Sequence, residues 1–390
     1  MLRSLFAGIS GLRAHQQMMD VTANNIANIN TTGFKTSQAT FQDTLSQLVT
    51  AAGAPTASLG GTNPAQVGLG VRLGAITTNF SQGAAQTTGR STDLMIQGDG
   101  FFAVRSGAQQ LFTRSGAFTF DTNGFLVTAG GGMVQGWKAT GGVVTTTTAP
   151  TDVQLPIGTV LPPSATTTAT VAGNLPSNAS TTTPYTTSIT AYDSLGNPVT
   201  LTTSFAYSSA TGWSATVTDG ITSATTPLTF TGGAAPSPSS LALGGITVDF
   251  SGVTNYSGAS TIATLSQNGY AMGSLQSFNI SQDGTLVGVF SNGLKQTLAQ
   301  ISLATFNNPP GLEKVGDSMY LSTVNSGTPQ LGQAGTGGRG VLQGGALEMS
   351  NVDLAQEFTN LVIAQRGFQA NSKVITTSDE LLQDLVNLKR

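Results

Sequence analysis

Apolar residues recur through the first thirty positions at alternating spacings of four and three: Leu5, Ile9, Leu12, Met19 and Ile26, with Gln16 and Ala23 in the remaining slots. This keeps one helical stripe turned toward a partner, as in a coiled-coil seam, and predicts a helix over residues 1–30. Its stop is Asn30-Thr31-Thr32-Gly33, where glycine supplies a left-handed backbone. The far end repeats the pattern through Leu354, Phe358, Leu361, Phe368, Ile375 and Leu382, with Gln365 and Ser372 between. A second phase, Val374, Leu381, Leu385 and Leu388, carries it to the end. Ser350 with Asp353 resembles a capping box, Asp353 and Glu357 suit the positive end of the helix dipole, and Lys389 and Arg390 suit the negative end. A helix from 352 to 388 would be about 55 Å long.

Between these ends the period changes from helical to alternating. TTSITAY and VTLTTSFAY alternate apolar and polar positions around Asp193-Ser-Leu-Gly-Asn197, a hairpin signal. Tyr192, Phe205, Tyr207, Trp213, Phe230 and Phe250 supply a core for a folded β domain over residues 146–280. On either side, Gly98-Asp99-Gly100, Asn123-Gly124, Asp283-Gly284 and Asn292-Gly293 punctuate further apolar runs. Residues 71–145 and 281–349 therefore read as two parts of one inner β domain that the middle interrupts, and residues 31–70 as an extended linker. The expected fold is multidomain α+β: terminal coiled-coil helices, 1–30 and 350–390, paired with each other, with two nested, mainly antiparallel β domains inserted between them. A lone amphipathic helix is marginal in water. A two-helix layer with apolar residues on more than one side, Leu5 beside Phe6 and Leu361 beside Val362, is expected to be completed by copies of itself.

Composition narrows the function. Only 8% of residues are charged, and between Lys138 and Lys295 there is no Lys or Arg and the acids are Asp152, Asp193, Asp219, Asp249 and Asp283. The chain has no cysteine and a single histidine, His15, which excludes disulfides, thiolate chemistry and histidine clusters. A net charge of −3 argues against nucleic-acid binding, and no apolar run is long enough to insert in a membrane. The first residues, MLRSLFAGISGLRAHQQ, lack the continuous apolar core of a cleavable signal peptide.

Candidate chemistry is sparse. Asp121-Thr-Asn123-Gly124 begins like a calcium loop but lacks the later ligands, and a hairpin turn is the better reading. The glycines of Gly68-Leu-Gly70-Val-Arg-Leu-Gly74 miss the dinucleotide spacing by one. His15 lies within the helical seam, no serine elbow pairs with a base, and the carboxylates are scattered. No catalytic residue, cofactor or metal is expected. Arg72, Arg90, Arg105, Arg114 and Lys138 are spread through the first β flank and read as a normally solvated surface; the sharper alternative is that some of them meet acids of neighbouring subunits.

Long segments carry a family resemblance. GLRAHQQMMDVTANNIANINTTGFKTSQATF and SNVDLAQEFTNLVIAQRGFQANSKVITTSDELLQDLVNL resemble the paired terminal signatures of the bacterial flagellar axial family of rod, hook and hook-associated proteins. DLMIQGDGFFAV, LFTRSGAFTFDTNGFLVTAGGGMVQGW and QGGALEMSNVDL look like that family's inner β domain. TTSITAYDSLGNPVTLTTSF followed by Trp213 is similar to the outer β domain of its hook members. The resemblance implies an extracellular subunit of a curved, hollow helical tube that acts as a universal joint. It implies export through the flagellar type III apparatus without a cleaved signal. The implied partners are further copies of the chain, the distal rod protein, the hook cap and the hook–filament junction protein. On this reading Leu5, Ile9, Leu12, Met19, Ile26, Leu354, Phe358, Leu361, Phe368, Ile375, Leu382, Leu385 and Leu388 form the axial self-assembly interface. A distal-rod or junction protein of the same family is the alternative within it, and a secreted β-rich adhesin or glycan-binding module the alternative outside it.

Overall fold

The computed structural model of the chain describes residues 2–55, 60–155, 158, 160–179 and 183–387. Helix α1 spans Leu2–Ala27 and helix α2 spans Leu354–Asn387, about 50 Å by its rise per residue. α2 begins two residues later than its periodicity suggests. The stop of α1 comes three residues early, in a turn at Asn28–Asn30, and Gly33 has φ +68° for a different purpose. A Cβ there would stand 2.5 Å from the backbone nitrogen of Ser115, so only glycine lets the chain pass so close. The cap of α2 is Asp353 alone: its Oδ1 accepts from the N–H groups of Ala355 at 2.9 Å and Gln356 at 3.2 Å. Leu388, Lys389 and Arg390 lie outside the described residues, as does the side chain of Leu385.

The chain divides into two compact units, one of residues 1–155, 279–287 and 297–390, the other of residues 156–278 and 288–296. In the first, an antiparallel sheet runs in the order Met133–Thr140, Phe101–Ser106, Gln109–Thr113, Met319–Leu321, Glu313–Gly316. Strands from both flanks of the insertion thus share one sheet. An edge-to-face cluster of Phe101, Phe112, Phe306 and Tyr320 packs on it. The stretch expected as a linker, 31–70, carries paired strands: β1 (Ser37–Asp43), β2 (Ser46–Thr50) and β3 (Ala65–Gly68), followed by β4 (Val71–Thr78). β1 pairs with β4 and β2 with β3, all antiparallel.

The second unit holds two four-stranded sheets. One is an antiparallel meander of Tyr185–Tyr192, Pro198–Ser208, Gly212–Thr218 and Ser223–Leu228. The other runs Ser240–Leu243, Ile246–Thr254, Thr168–Asn174, Ala263–Gln267, with one parallel pair at its centre. Leu201, Phe205, Trp213, Val217, Val248 and Phe250 are buried in its core, with Tyr207 and Phe230 partly buried against them. Alternation places every second residue of Pro198–Ser208 and Gly212–Thr218 inward, as a half-buried strand requires.

Candidate self-assembly surfaces

The two helices pair with each other chiefly through small and polar residues, with large apolar ones at the margin. Along α1 the buried positions are Gly8, Gly11, Ala14, Thr22 and Asn25, and along α2 they are Glu357, Ala364 and Ser378. Gly11 fits so closely that a Cβ would stand 2.7 Å from the side chain of Asn371, and a Cβ on Gly367 would stand 2.5 Å from the His15 ring. Gly8 lies against Ile375 and Val374. In both helices this facing row lies about one residue before the apolar seam, a rotation of about 100°. Small residues let the two backbones approach, and the bulky stripe is turned aside.

Each seam residue can now be placed. Leu5, Ile9, Leu12, Met19 and Ile26 are half-buried, as are Leu361, Phe368, Ile375 and Leu382. Leu354 and Phe358 are exposed, Phe358 by 52%, and Phe6, Val362, Ile363, Leu381 and Val386 join them. The half-buried members lie at the margin of the helix contact and the exposed ones beyond it.

A second exposed apolar surface was not legible as such. Leu45, Leu48, Val49, Val67 and Leu69 lie on or beside the β2–β3 hairpin and are exposed, as is Ile76 on β4. All described residues of β2 and β3 face solvent. This arm joins the helix at Ser10, whose Oγ accepts from the N–H of Val71, and the ring of Phe41 stands edge-on to His15 at 6.2 Å. The apolar spacing in LSQLVT and AQVGLGV was its one sequence signal, obscured by intervening glycine and proline.

Where both helices leave the β body, a buried charge knot ties the chain together. Lys35 is wholly buried and donates to Glu348 Oε1 at 2.6 Å and to the Ser81 carbonyl at 2.7 Å. The same carboxylate accepts from the N–H of Gly83 at 2.9 Å, while its other oxygen stands 3.5 Å from buried Arg114. Burial lowers the pKa of Lys35, and the hydrogen bond and charge of Glu348 oppose that shift; burial likewise lowers that of Arg114. The Arg114 guanidinium also lies over the Phe101 ring, 5.4 Å from its centre. Arg105 forms a two-pronged pair with Asp152. Two of the five basic residues considered for neighbouring subunits are therefore engaged within the chain, because acids distant in sequence fold against them.

His15 is wedged in the helix contact with Nδ1 buried and without a hydrogen-bond partner, an arrangement suited to packing rather than proton transfer. Oδ1 of Asp121 accepts from the N–H groups of Asn123 and Phe125, holding a hairpin turn. Among the described residues, no group of three or more His, Cys, Asp or Glu side chains is arranged to hold a metal, and no helix is long and apolar enough to cross a membrane.

Comparison with known proteins accounts for most of the chain. Residues 5–35 match the family described as flagella basal body rod protein and residues 343–388 the flagellar basal body rod FlgEFG protein C-terminal family. Residues 95–174 match the flagellar hook protein FlgE/F/G D1 domain and residues 160–229 the flagellar basal body protein FlaE D2 domain. The flagellar hook protein FlgE of Treponema pallidum is 38% identical, with all of both chains covered. The flagellar basal-body rod protein FlgG of Bacillus subtilis is 34% identical, again over all of both. Among solved structures, Helicobacter pylori flagellar hook protein FlgE2 superposes with a TM-score of 0.55 at 16% identity, covering 68% of this chain and all of that one, a likeness of fold.

Proposed function

The chain belongs to the FlgE flagellar hook family and is a structural subunit of the flagellar axis rather than an enzyme, and from that premise we propose how it builds the hook. Copies polymerise head to tail through different patches, with a rotation that does not close, and a hollow helical tube follows. The helix pair lines the inner wall. The observation that carries this reading is the turn of the helices: small residues face each other, and Leu354, Phe358, Val362 and Phe6 are left in water. Each such side chain, already about half covered, gains on the order of 1 kcal/mol when a neighbour covers the rest. The exposed β2–β3 arm extends the same self-contact, since an isolated two-stranded hairpin is marginal by itself.

The tube acts as a universal joint between rod and filament. As it bends, outer contacts slide, and residues 146–280, without a Lys or Arg, exchange weak hydroxyl contacts without separating ion pairs. Subunits leave through the type III export apparatus without a cleaved signal and add beneath the cap, with the rod protein at one end of the tube and the junction protein at the other. Electron microscopy of purified full-length protein beside a version lacking residues 352–390 tests the proposal. Tubes are expected only from the full chain, and tubes from the truncated chain would overturn it. The likeness to a rod protein over the whole chain favours a second reading, a rod subunit; gold labelling of intact basal bodies separates the two by position along the axis.

A further inference from the structure

Residues 346–351, just ahead of α2, form a strap across distant parts of the first unit. Ala346–Glu348 pairs antiparallel with Ala85–Thr87, and the N–H of Met349 donates to the Ala84 carbonyl at 2.9 Å. The Glu348 carbonyl accepts from the N–H of Gly33 at 2.8 Å, and Asn351 Oδ1 accepts from that of Thr36 at 2.8 Å. The Asn351 amide donates to the carbonyls of Asn79 and Ser81. The strap thus holds the segment that follows α1, and α1 is tied to that segment because the Asn25 side chain exchanges two hydrogen bonds with the backbone of Ser37.

The same segment docks beside two cations. Thr32 Oγ stands 3.1 Å from Ser115 Oγ, next to buried Arg114. Lys314 Nζ donates to the Lys35 carbonyl at 3.0 Å and to Ser37 Oγ at 2.9 Å, and lies over the Phe34 ring. Into this place the segment carries a third cation, Lys35. Among the described residues, the carboxylate that pairs with Lys35 and with Arg114 is that of Glu348, one oxygen to each. Asp99 acts on the charge of Arg114 without pairing with it among the described residues. Burial first, and then the charge of Arg114, lower the pKa of Lys35 against the hydrogen bond and charge of Glu348.

Burying like charges together is costly unless a counter-charge is buried with them. Lys35 precedes Glu348 by 313 positions, and a chain is made from its amino end, so the cations exist long before the carboxylate that neutralises them. We propose that the strap is a completion lock: the segment after α1, and α1 with it, docks on the β body only once Glu348 has arrived to neutralise Lys35 and Arg114. The lock acts within a single chain and does not depend on how copies join.

The chain has no cysteine, so Thr32→Cys with Ser115→Cys gives one disulfide that reports docking. Its effective concentration is measured in glutathione buffers on the full chain. Glu348→Gln is expected to lower it about tenfold or more, because Lys35 and Arg114 are then left without their carboxylate. Lys35→Met is expected to lower it when Glu348 is present and to raise it in the Glu348→Gln chain, where it removes a stranded charge. Loss of packing alone would make Lys35→Met harmful in both backgrounds. An effective concentration unchanged by Glu348→Gln, or Lys35→Met acting in the same direction in both backgrounds, would overturn the proposal. If Glu348→Gln prevents folding altogether, the chain carrying Glu348→Gln and Lys35→Met decides: it is expected to fold and close the disulfide, and its failure to do so would overturn the lock.

Discussion

In the second unit Phe205, Trp213 and Phe250 are turned into a core between two sheets, and the strands that carry them present threonines and serines to water. Along the helix pair the arrangement is reversed: Gly8, Gly11, Ala14 and Ala364 face inward while Phe6, Phe358, Val362 and Val386 stand in water. The first arrangement is complete within one chain. The second leaves an apolar face uncovered, and on the function proposed above that face is a half-interface completed by further copies. On that reading the function follows from the inequality, since a helix pair that buried all its apolar residues would offer no sticky face to a neighbour.

The strongest way to break the comparison is to make the helix surface resemble the outside of the second unit. Leu354→Asp with Phe358→Asp is expected to abolish tubes in electron microscopy and light scattering while leaving the far-ultraviolet circular dichroism of the monomer intact, because neither side chain is buried within the subunit. Retained polymerisation would show that this stripe is not an interface. Next in size, Phe205→Ala in the second unit and Glu348→Gln in the first should each cost about 3–5 kcal/mol in denaturant melts of the full chain. Phe205→Ala opens a cavity in a closed core, whereas Glu348→Gln strands Lys35 and Arg114 without their carboxylate.

A smaller effect separates close approach from mere proximity. Gly367→Ala would ordinarily favour a helix, but its Cβ meets the His15 ring, so a loss of about 1–3 kcal/mol is expected. Adding His15→Ala should restore the ordinary gain, which thermal melts of the single and double variants will read. The smallest effect is acid loosening of two turns of the second unit, where Asp193 Oδ1 accepts from the N–H groups of Leu195 and Asn197 and Asp219 Oδ1 from those of Ile221 and Thr222. Turn hydrogen bonds from Asn197 and Thr222 hold Asp193 and Asp219 below the usual carboxylate range. The stabilisation they give is therefore present above the unfolded value near 3.8 and is lost as pH falls through the lower folded value. Amide protection at Leu195, Asn197, Ile221 and Thr222, taken relative to the intrinsic exchange rate at each pH, should fall in that acid window, and Asp219→Asn should remove that loss at the second turn alone.

Much of this was legible before any coordinates. The three-and-four spacing of Leu5, Ile9 and Leu12 and of Leu354, Phe358 and Leu361 marks the two helices, and Asp193-Ser-Leu-Gly-Asn197 marks a hairpin whose flanking strands pair without a break from Tyr185 to Phe205. The cap of α2 is read less well, because Ser350 and Asp353 are both competent and only the path of the chain selects Asp353. The β2–β3 arm was hidden because its strands are short, separated by glycines and prolines, and paired only with each other.

The sequence by itself determined the local periods: helices at both ends, alternating strands between them, and a middle nearly free of charge. Those properties depend on residues a few positions apart. Which face each helix turns to the other was decided only in the tertiary structure, because close approach at Gly8, Gly11 and Gly367 outweighs the apolar periodicity and turns the seam to the margin of the contact. The pairing of Lys35 with Glu348 was also decided there, across 313 positions, since a buried charge finds its partner through the whole fold rather than through its neighbours along the chain.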